Sequence, residues 1–221
     1  MPPATCSSRW GATGRIDHVQ IRELSVPDSY EITPIQRSDE RGVFLEWYRF
    51  DLLEQAIGHP LNLRQANTSV SQRGVVRGIH YADIPPGQAK YVTVTHWAVV
   101  DFVVDIRVGS PTFGGWDSVR LDDVERKAIY LGEGLGHVFV ALSDDATVSY
   151  LVSDTYNPSR EHGINPLDDQ IGLAFPDEAG ELLLSPKDVE APSLAEAAAS
   201  GLLPRWQDAR TFYDSLESRV G

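Results

Sequence analysis

The sequence predicts an all-β protein, an antiparallel sandwich or barrel with short flanking helices and a helical C-terminal tail. Three observations carry that prediction. Short β-rich runs recur between turn clusters from about Val43 to Val152, side-chain character alternates with period two inside those runs, and the composition changes after residue 176. A chain of 221 residues can bury one sizeable core, and sandwiches and barrels of this length are commonly single domains, so one domain is expected from residue 19 onward.

Residues 1–18 are rich in Gly, Ser, Thr and Pro without a hydrophobic period, which predicts a flexible leader. The strand-like runs are GVFLEWYRF, LNLRQANTSV, AKYVTVT, AVVDFVVDIRV, DSVRL, AIYL, HVFVAL and TVSYLV. Between the first two, FDLLEQAIG has helical spacing at Leu52, Leu53, Ala56 and Ile57 and ends on Gly58, a natural C-cap. Past Pro192, SLAEAAASGLL offers Ser193 as an N-cap with Glu196 three residues on and Gly201 as a stop. From about residue 192 this helical tail is expected to pack outside the sheets.

Composition removes several function classes. Nineteen Lys plus Arg against 32 Asp plus Glu give a formal charge of −13, which argues against a surface for nucleic acid. A small anionic ligand remains open, because it needs only a local cluster of cations, and arginine, whose fork suits phosphate, dominates the basic residues. One cysteine, Cys6, excludes an internal disulfide and any cysteine-based zinc site and fits a reducing cytoplasm. No signal-peptide core and no membrane-length apolar run is visible, so a soluble, cytoplasmic protein without a membrane partner is expected.

The stretch QANTSVSQRGVVRGIHYADIPPGQAKYVTV, residues 65–94, holds the densest chemistry. It sets Arg77, His80 and Lys90 between two strand-like runs, in a chain with only three lysines. If QAKYVTV is a strand, Lys90 shares a face with Val92 and Val94, as a cavity wall would require. Gly78 supplies backbone freedom that can aim His80 out of regular register. In AVVDFVVDIRV, alternation puts Asp101, Val103, Asp105 and Arg107 on one face. Either that face meets water, or it lines a barrel interior where Asp101 is placed to hold Lys90.

These residues carry a family resemblance. DERGVFLEW, QANTSVSQRGVVRGIHY, PPGQAKYV, VVDIRVGSPTFGGWDSV, LGEGLGHVFVAL, SYLVSDTYNPSREHGINPLD and LSPKD occur in order from about residue 25 to 214 and resemble the dTDP-4-dehydrorhamnose 3,5-epimerase family, its actinobacterial members above all. The resemblance implies a cupin jelly roll, a homodimer that exchanges N-terminal strand pairing, and epimerisation of a dTDP-4-keto-6-deoxyhexose without cofactor. It implies His80 as the base, Asp188 as the carboxylate that orients it, Lys90 as the enolate-stabilising cation and Tyr150 as the acid. Arg41, Arg77 and Lys187 resemble the family's phosphate and nucleotide contacts, and Phe44, Glu46, Gln65, Asn67, Tyr156 and Glu161 the rest of the nucleotide pocket. His137 either touches substrate or fills the barrel.

The chemistry is consistent with those roles: epimerisation beside a ketone needs a base, a group to steady the enolate oxygen and an acid on the opposite ring face. The metal-binding cupin pattern is lacking, because His80 has no second histidine two residues on, so no metal is expected. Two departures stand out. THWAVVD replaces a glycine-containing turn, and GLGHVF puts Val138 after the histidine, where it is expected to narrow the pocket. The main reading is a 3,5-epimerase of dTDP-rhamnose biosynthesis. Alternatives are a mono-epimerase of a secondary-metabolite deoxysugar pathway and a non-catalytic nucleotide-sugar-binding cupin.

Overall fold

The computed structural model describes residues 18–217. The predicted leader, His18 apart, and Cys6 lie outside the described residues. Thirteen strands and four α-helices are formed by these residues. The strands are β1 (Gln20–Glu23), β2 (Ser29–Thr33), β3 (Gln36–Asp39), β4 (Gly42–Leu45), β5 (Gln65–Ser71), β6 (Val76–Ala82), β7 (Lys90–His96), β8 (Ala98–Val104), β9 (Trp116–Asp122), β10 (Ala128–Leu131), β11 (Gly136–Ala141), β12 (Ala146–Val152) and β13 (Glu161–Gly163). The helices are α1 (Phe50–Ile57), α2 (Pro186–Val189), α3 (Leu194–Ala199) and α4 (Trp206–Glu217).

Two antiparallel sheets form the body. One runs β1-β2-β10-β7-β12-β5 and the other β13-β6-β11-β8-β9, while β3 and β4 make a separate hairpin. Strand alternation sorts side chains into three layers. Between the sheets lie Val92, Val94 and Val148 of the first and Val99, Val103, Val119 and Phe139 of the second. Outside the first sheet, Leu53 and Leu61 pack with α1 on Tyr91, Ala128 and Leu151. Outside the second, Ile79, Tyr81, Phe102, Val104 and Val138 meet Ile164, Leu194, Ala197 and Leu203 of the C-terminal segment.

Two of the helices, α1 and α3, follow their predicted signals. α1 ends on Gly58, whose φ of +84° is the left-handed cap conformation. α3 carries the capping box of Ser193 and Glu196. The tail, as expected, packs outside the sheets, and it holds a second, longer helix in α4. This helix is fastened at Arg107, which is fully buried, pairs with Asp105 and Asp28, and lies 4.5 Å from the Trp206 ring. Asp101, Asp105 and Arg107 are all fully buried, which overturns the reading in which their face meets water. No helix of the described residues is long and apolar enough to cross a membrane.

Candidate active site

One end of the space between the sheets is polar. Arg77, His80 and Glu161 enter it from β6 and β13, His137 and Asp101 from β11 and β8, Lys90 and Tyr150 from β7 and β12, and Gln65 and Asn67 from β5. The placement follows from register. Tyr150 lies opposite Asn67 on one side and Val92 on the other, Lys90 opposite Val152 and Leu131, and His137 opposite His80.

His80 reaches the interior through an irregularity. Between β6 and β11 the register shifts, so that Arg77 pairs with Phe139 and His80 with His137, a β-bulge that turns both Arg77 and His80 inward. Gly78 permits it. Its φ is +126°, and a Cβ there would stand 2.7 Å from the Cα of Val138 and closer still to the carbonyl oxygen of His137. Val138 itself belongs to the outer cluster with Ile79 and Phe102. The expectation that it narrows the pocket is therefore wrong, because alternation points it away from His137.

His80 Nε2 lies 2.7 Å from Asp188 Oδ1. A carboxylate accepts from an N–H, so the hydrogen belongs on Nε2 and the lone pair on Nδ1. Asp188 is held in turn by Ser185, whose hydroxyl donates to Oδ2 at 2.8 Å and accepts from the Asp188 backbone N–H as the cap of α2. Burial acts to raise the Asp188 pKa, but hydrogen bonds from His80 and Ser185 win and hold the carboxyl below its ordinary value. Ser185 was not predicted, although Ser-Pro in LSPKD is a readable N-cap and N1 pair.

His137 Nε2 lies 2.8 and 3.0 Å from the two oxygens of fully buried Asp101. Asp101 thus holds His137 rather than Lys90, a correction to the sequence expectation, and acts on Lys90 only through its charge. Burial depresses the Lys90 ammonium against the pull of Glu161 and Asp101, and burial likewise raises the Asp101 carboxyl. The Tyr150 phenol is raised by burial and by the Glu161 charge, while Arg77 and the Asn67 side chain act the other way.

The nucleotide candidates divide. Gln65 donates to Asn67 at 2.7 Å and accepts from the Tyr156 backbone at 3.0 Å, Glu161 accepts from Asn157 at 3.3 Å, and Arg77 donates to Ser71 at 3.1 Å. Tyr156 and Lys187 are exposed at the rim. Arg41, Phe44 and Glu46 sit on or beside the β3–β4 hairpin, outside the space between the sheets. Arg41 pairs with Asp39, Glu46 with Arg49, and Phe44 is 66% exposed. The described residues include no group of three or more His, Cys, Asp or Glu placed to hold a metal ion.

The arrangement matches known proteins over most of its length. The family model described as dTDP-4-dehydrorhamnose 3,5-epimerase covers residues 23–196. A dTDP-4-dehydrorhamnose 3,5-epimerase of Mycolicibacterium smegmatis is 55% identical over 199 residues, 90% of this chain and 98% of that protein. A dTDP-4-dehydrorhamnose 3-epimerase of Streptomyces niveus is 57% identical over 188 residues, 85% of this chain and 90% of that protein. Among solved structures, the RmlC epimerase of Mycobacterium tuberculosis superposes with a TM-score of 0.87 at 49% identity, covering 89% of this chain and 99% of that one. ChmJ, a 3'-monoepimerase of Streptomyces bikiniensis in complex with dTDP-quinovose, gives 0.86 at 46% identity, with 89% and 98% covered. The chain belongs to the dTDP-4-dehydrorhamnose 3,5-epimerase family.

Proposed function

We propose that this protein epimerises dTDP-4-keto-6-deoxy-D-glucose at C3 and C5, giving dTDP-4-keto-L-rhamnose for dTDP-L-rhamnose biosynthesis. The observation that carries this reading is a histidine–carboxylate pair and a phenol on opposite walls of the polar space between the sheets, His80 on β6 of the five-stranded sheet with Asp188 of α2 behind it, and Tyr150 on β12 of the six-stranded one. A sugar ring held between them meets a base on one face and an acid on the other. His80 Nδ1 takes the proton α to the C4 ketone, and the electron pair moves onto the C4 oxygen as an enolate. Asp188 stabilises the imidazolium. The Lys90 ammonium steadies the enolate oxygen, and Tyr150 delivers a proton to the opposite face, inverting the carbon. C3 and C5 flank the same ketone, so one set of groups serves both.

Arg77 and Lys187 supply positive charge for the diphosphate, and Gln65, Asn67, Tyr156 and Glu161 line the nucleotide end. The detached hairpin suggests how Arg41, Phe44 and Glu46 contribute: in a homodimer with exchanged N-terminal strand pairing, a second copy's hairpin completes each site. Phe44 at 66% exposure is then an apolar side chain awaiting a partner surface.

A second reading, single epimerisation at C3, is favoured by the 57% identity to the 3-epimerase of Streptomyces niveus. Incubation with the 4-keto sugar in deuterium oxide decides between them by NMR. Label at both C3 and C5 is expected, and label at one carbon only would overturn the double epimerisation.

A further inference from the structure

A buried carboxyl lies behind the site, and none of the roles above uses it. Glu133, in the turn between β10 and β11, is 4% exposed. Burial raises its pKa to about 7, with the nearby charge of Asp28 adding to the rise. Its Oε1 accepts from the Ser153 hydroxyl at 3.0 Å, while Oε2 has no hydrogen-bond partner among the described residues. Ser153 Oγ in turn accepts the backbone N–H of Ala89 at 2.8 Å, and the Ser153 N–H donates to the Ala89 carbonyl at 3.1 Å. Ala89 is the residue before Lys90. Because Lys90 is paired across to Val152 and Leu131, Ser153 and Glu133 continue those two neighbouring strands and close around the start of β7.

The turn is gripped from both sides. A Cβ on Gly87 would lie 2.6 Å from Glu133 Cβ, and Tyr213 of α4 donates its hydroxyl to the Glu133 carbonyl at 2.8 Å. Packing alone does not call for a carboxyl here. A glutamine would accept the same hydrogen bond without the cost of desolvating a charge, and a buried ionisable group without a cation bonded to it is poor for stability. The groups facing it are Asp28 from the β1–β2 turn, Tyr130 from β10 and Tyr213 from α4, with Arg107, Arg210 and the stacked ring of His59 behind Tyr213.

We infer that Glu133 is a positioning residue: through the Ser153 hydroxyl and the Ala89 N–H it fixes the entry of β7 and with it the Lys90 ammonium at the enolate oxygen. The inference rests on the proposed role of Lys90. When Glu133 is ionised, the bond from Ser153 becomes charge-assisted and shorter, so the brace tightens as pH rises through neutrality. A small displacement of a group that must meet a developing charge costs rate rather than binding.

The test uses the full chain with Ser153→Ala, Ser153→Thr, Glu133→Gln and Lys90→Ala, following α-proton exchange in deuterium oxide from pH 6 to 9 and dTDP affinity by calorimetry. Ser153→Ala is expected to lower kcat roughly 10-fold or more with dTDP affinity unchanged, and Ser153→Thr, which keeps the hydroxyl, to restore it. Glu133→Gln is expected to remove one rising ionisation near neutrality from the kcat profile, with dTDP affinity unchanged. Wild-type rates and profile in Ser153→Ala and Glu133→Gln, beside a slow Lys90→Ala, would overturn the role of Glu133 alone. A Lys90→Ala variant at the wild-type rate would overturn the role of Lys90 and the inference with it.

Discussion

Asp188→Asn changes one atom type in the pair that prepares the base, and the structure gives the size of the effect. The amide fits the same space, and its oxygen can still accept from His80 Nε2 at the position where Oδ1 now lies 2.7 Å away. The Ser185 hydroxyl, which donates to Oδ2 at 2.8 Å, can rotate to accept from the new NH2 instead. Orientation therefore survives and the ionic part of the bond is lost. A hydrogen bond to a charged partner is worth about 1.5–3 kcal/mol, and each 1.4 kcal/mol is tenfold in rate, so α-proton exchange should slow roughly 10- to 10²-fold. His80→Ala, which removes the base, should lose about 10²- to 10⁴-fold. The assay is single-turnover exchange in deuterium oxide for both variants, with dTDP affinity measured beside it and expected to be unchanged. An Asp188→Asn rate equal to wild type would show that the carboxylate does nothing for the imidazolium. A loss equal to that of His80→Ala would show that orientation without charge is worthless, and either result would refute the reasoning.

Gly78→Ala should break the bulge that aims His80: a Cβ 2.7 Å from Val138 Cα at a φ of +126° forces β6 and β11 apart, and epimerisation should fall at least 10-fold, roughly in line with a small displacement of the base, together with a lower melting temperature. Arg107→Ala leaves fully buried Asp105 without its cation and should cost about 3–5 kcal/mol in urea unfolding, with serine or threonine bonds from residues 110 and 112 too weak to compensate. Glu133→Gln should change how stability depends on pH. The folded pKa lies above the ordinary value, so this group's contribution is fully present below about 4.5 and is lost as pH rises through about 7. That window, at about 1.4 kcal/mol per pH unit, is worth about 3 kcal/mol, so the variant should gain about that much over wild type between pH 5 and 8. A constant difference across that range would show that Glu133 does not titrate as its burial implies.

Much of the fold and of the site was legible because alternation is a strong signal. Lys90 with Val92 and Val94, and Gln65 with Asn67, fall on the interior face as their spacing required. The side to which a face points was not legible. Asp101, Asp105 and Arg107 share a parity with Val103, yet periodicity cannot say whether that parity meets water or the partner sheet, and the answer depends on β9 and β11 arriving from elsewhere in the chain. The same limit hid the outward turn of Val138. Strands β1–β3 went unread because QIRE, SYEIT and QRSD are polar and short, and the pairing of β1 with β2, β2 with β10 and β3 with β4 supplies what local propensity does not. In α4 the anchors Trp206, Ala209 and Tyr213 have helical spacing, but mixed charge masks it, and the docking partner Arg107 lies about a hundred residues earlier. At the β7–β8 turn, THWAVVD keeps a tight turn without glycine. Trp97 takes a φ of +62°, and its N–H is held by Asp123 at 3.0 Å.

The most direct test of two-face proton transfer is Tyr150→Phe, incubated with the 4-keto sugar in deuterium oxide and followed by NMR. The ring volume remains, so the fold and dTDP binding should persist, while His80 still removes the α-proton and returns a deuteron to the same face. Deuterium should be incorporated into the substrate with little epimerised product. Full epimerisation by Tyr150→Phe would contradict two-face proton transfer from Tyr150 and would move the acid to Tyr156 or to solvent.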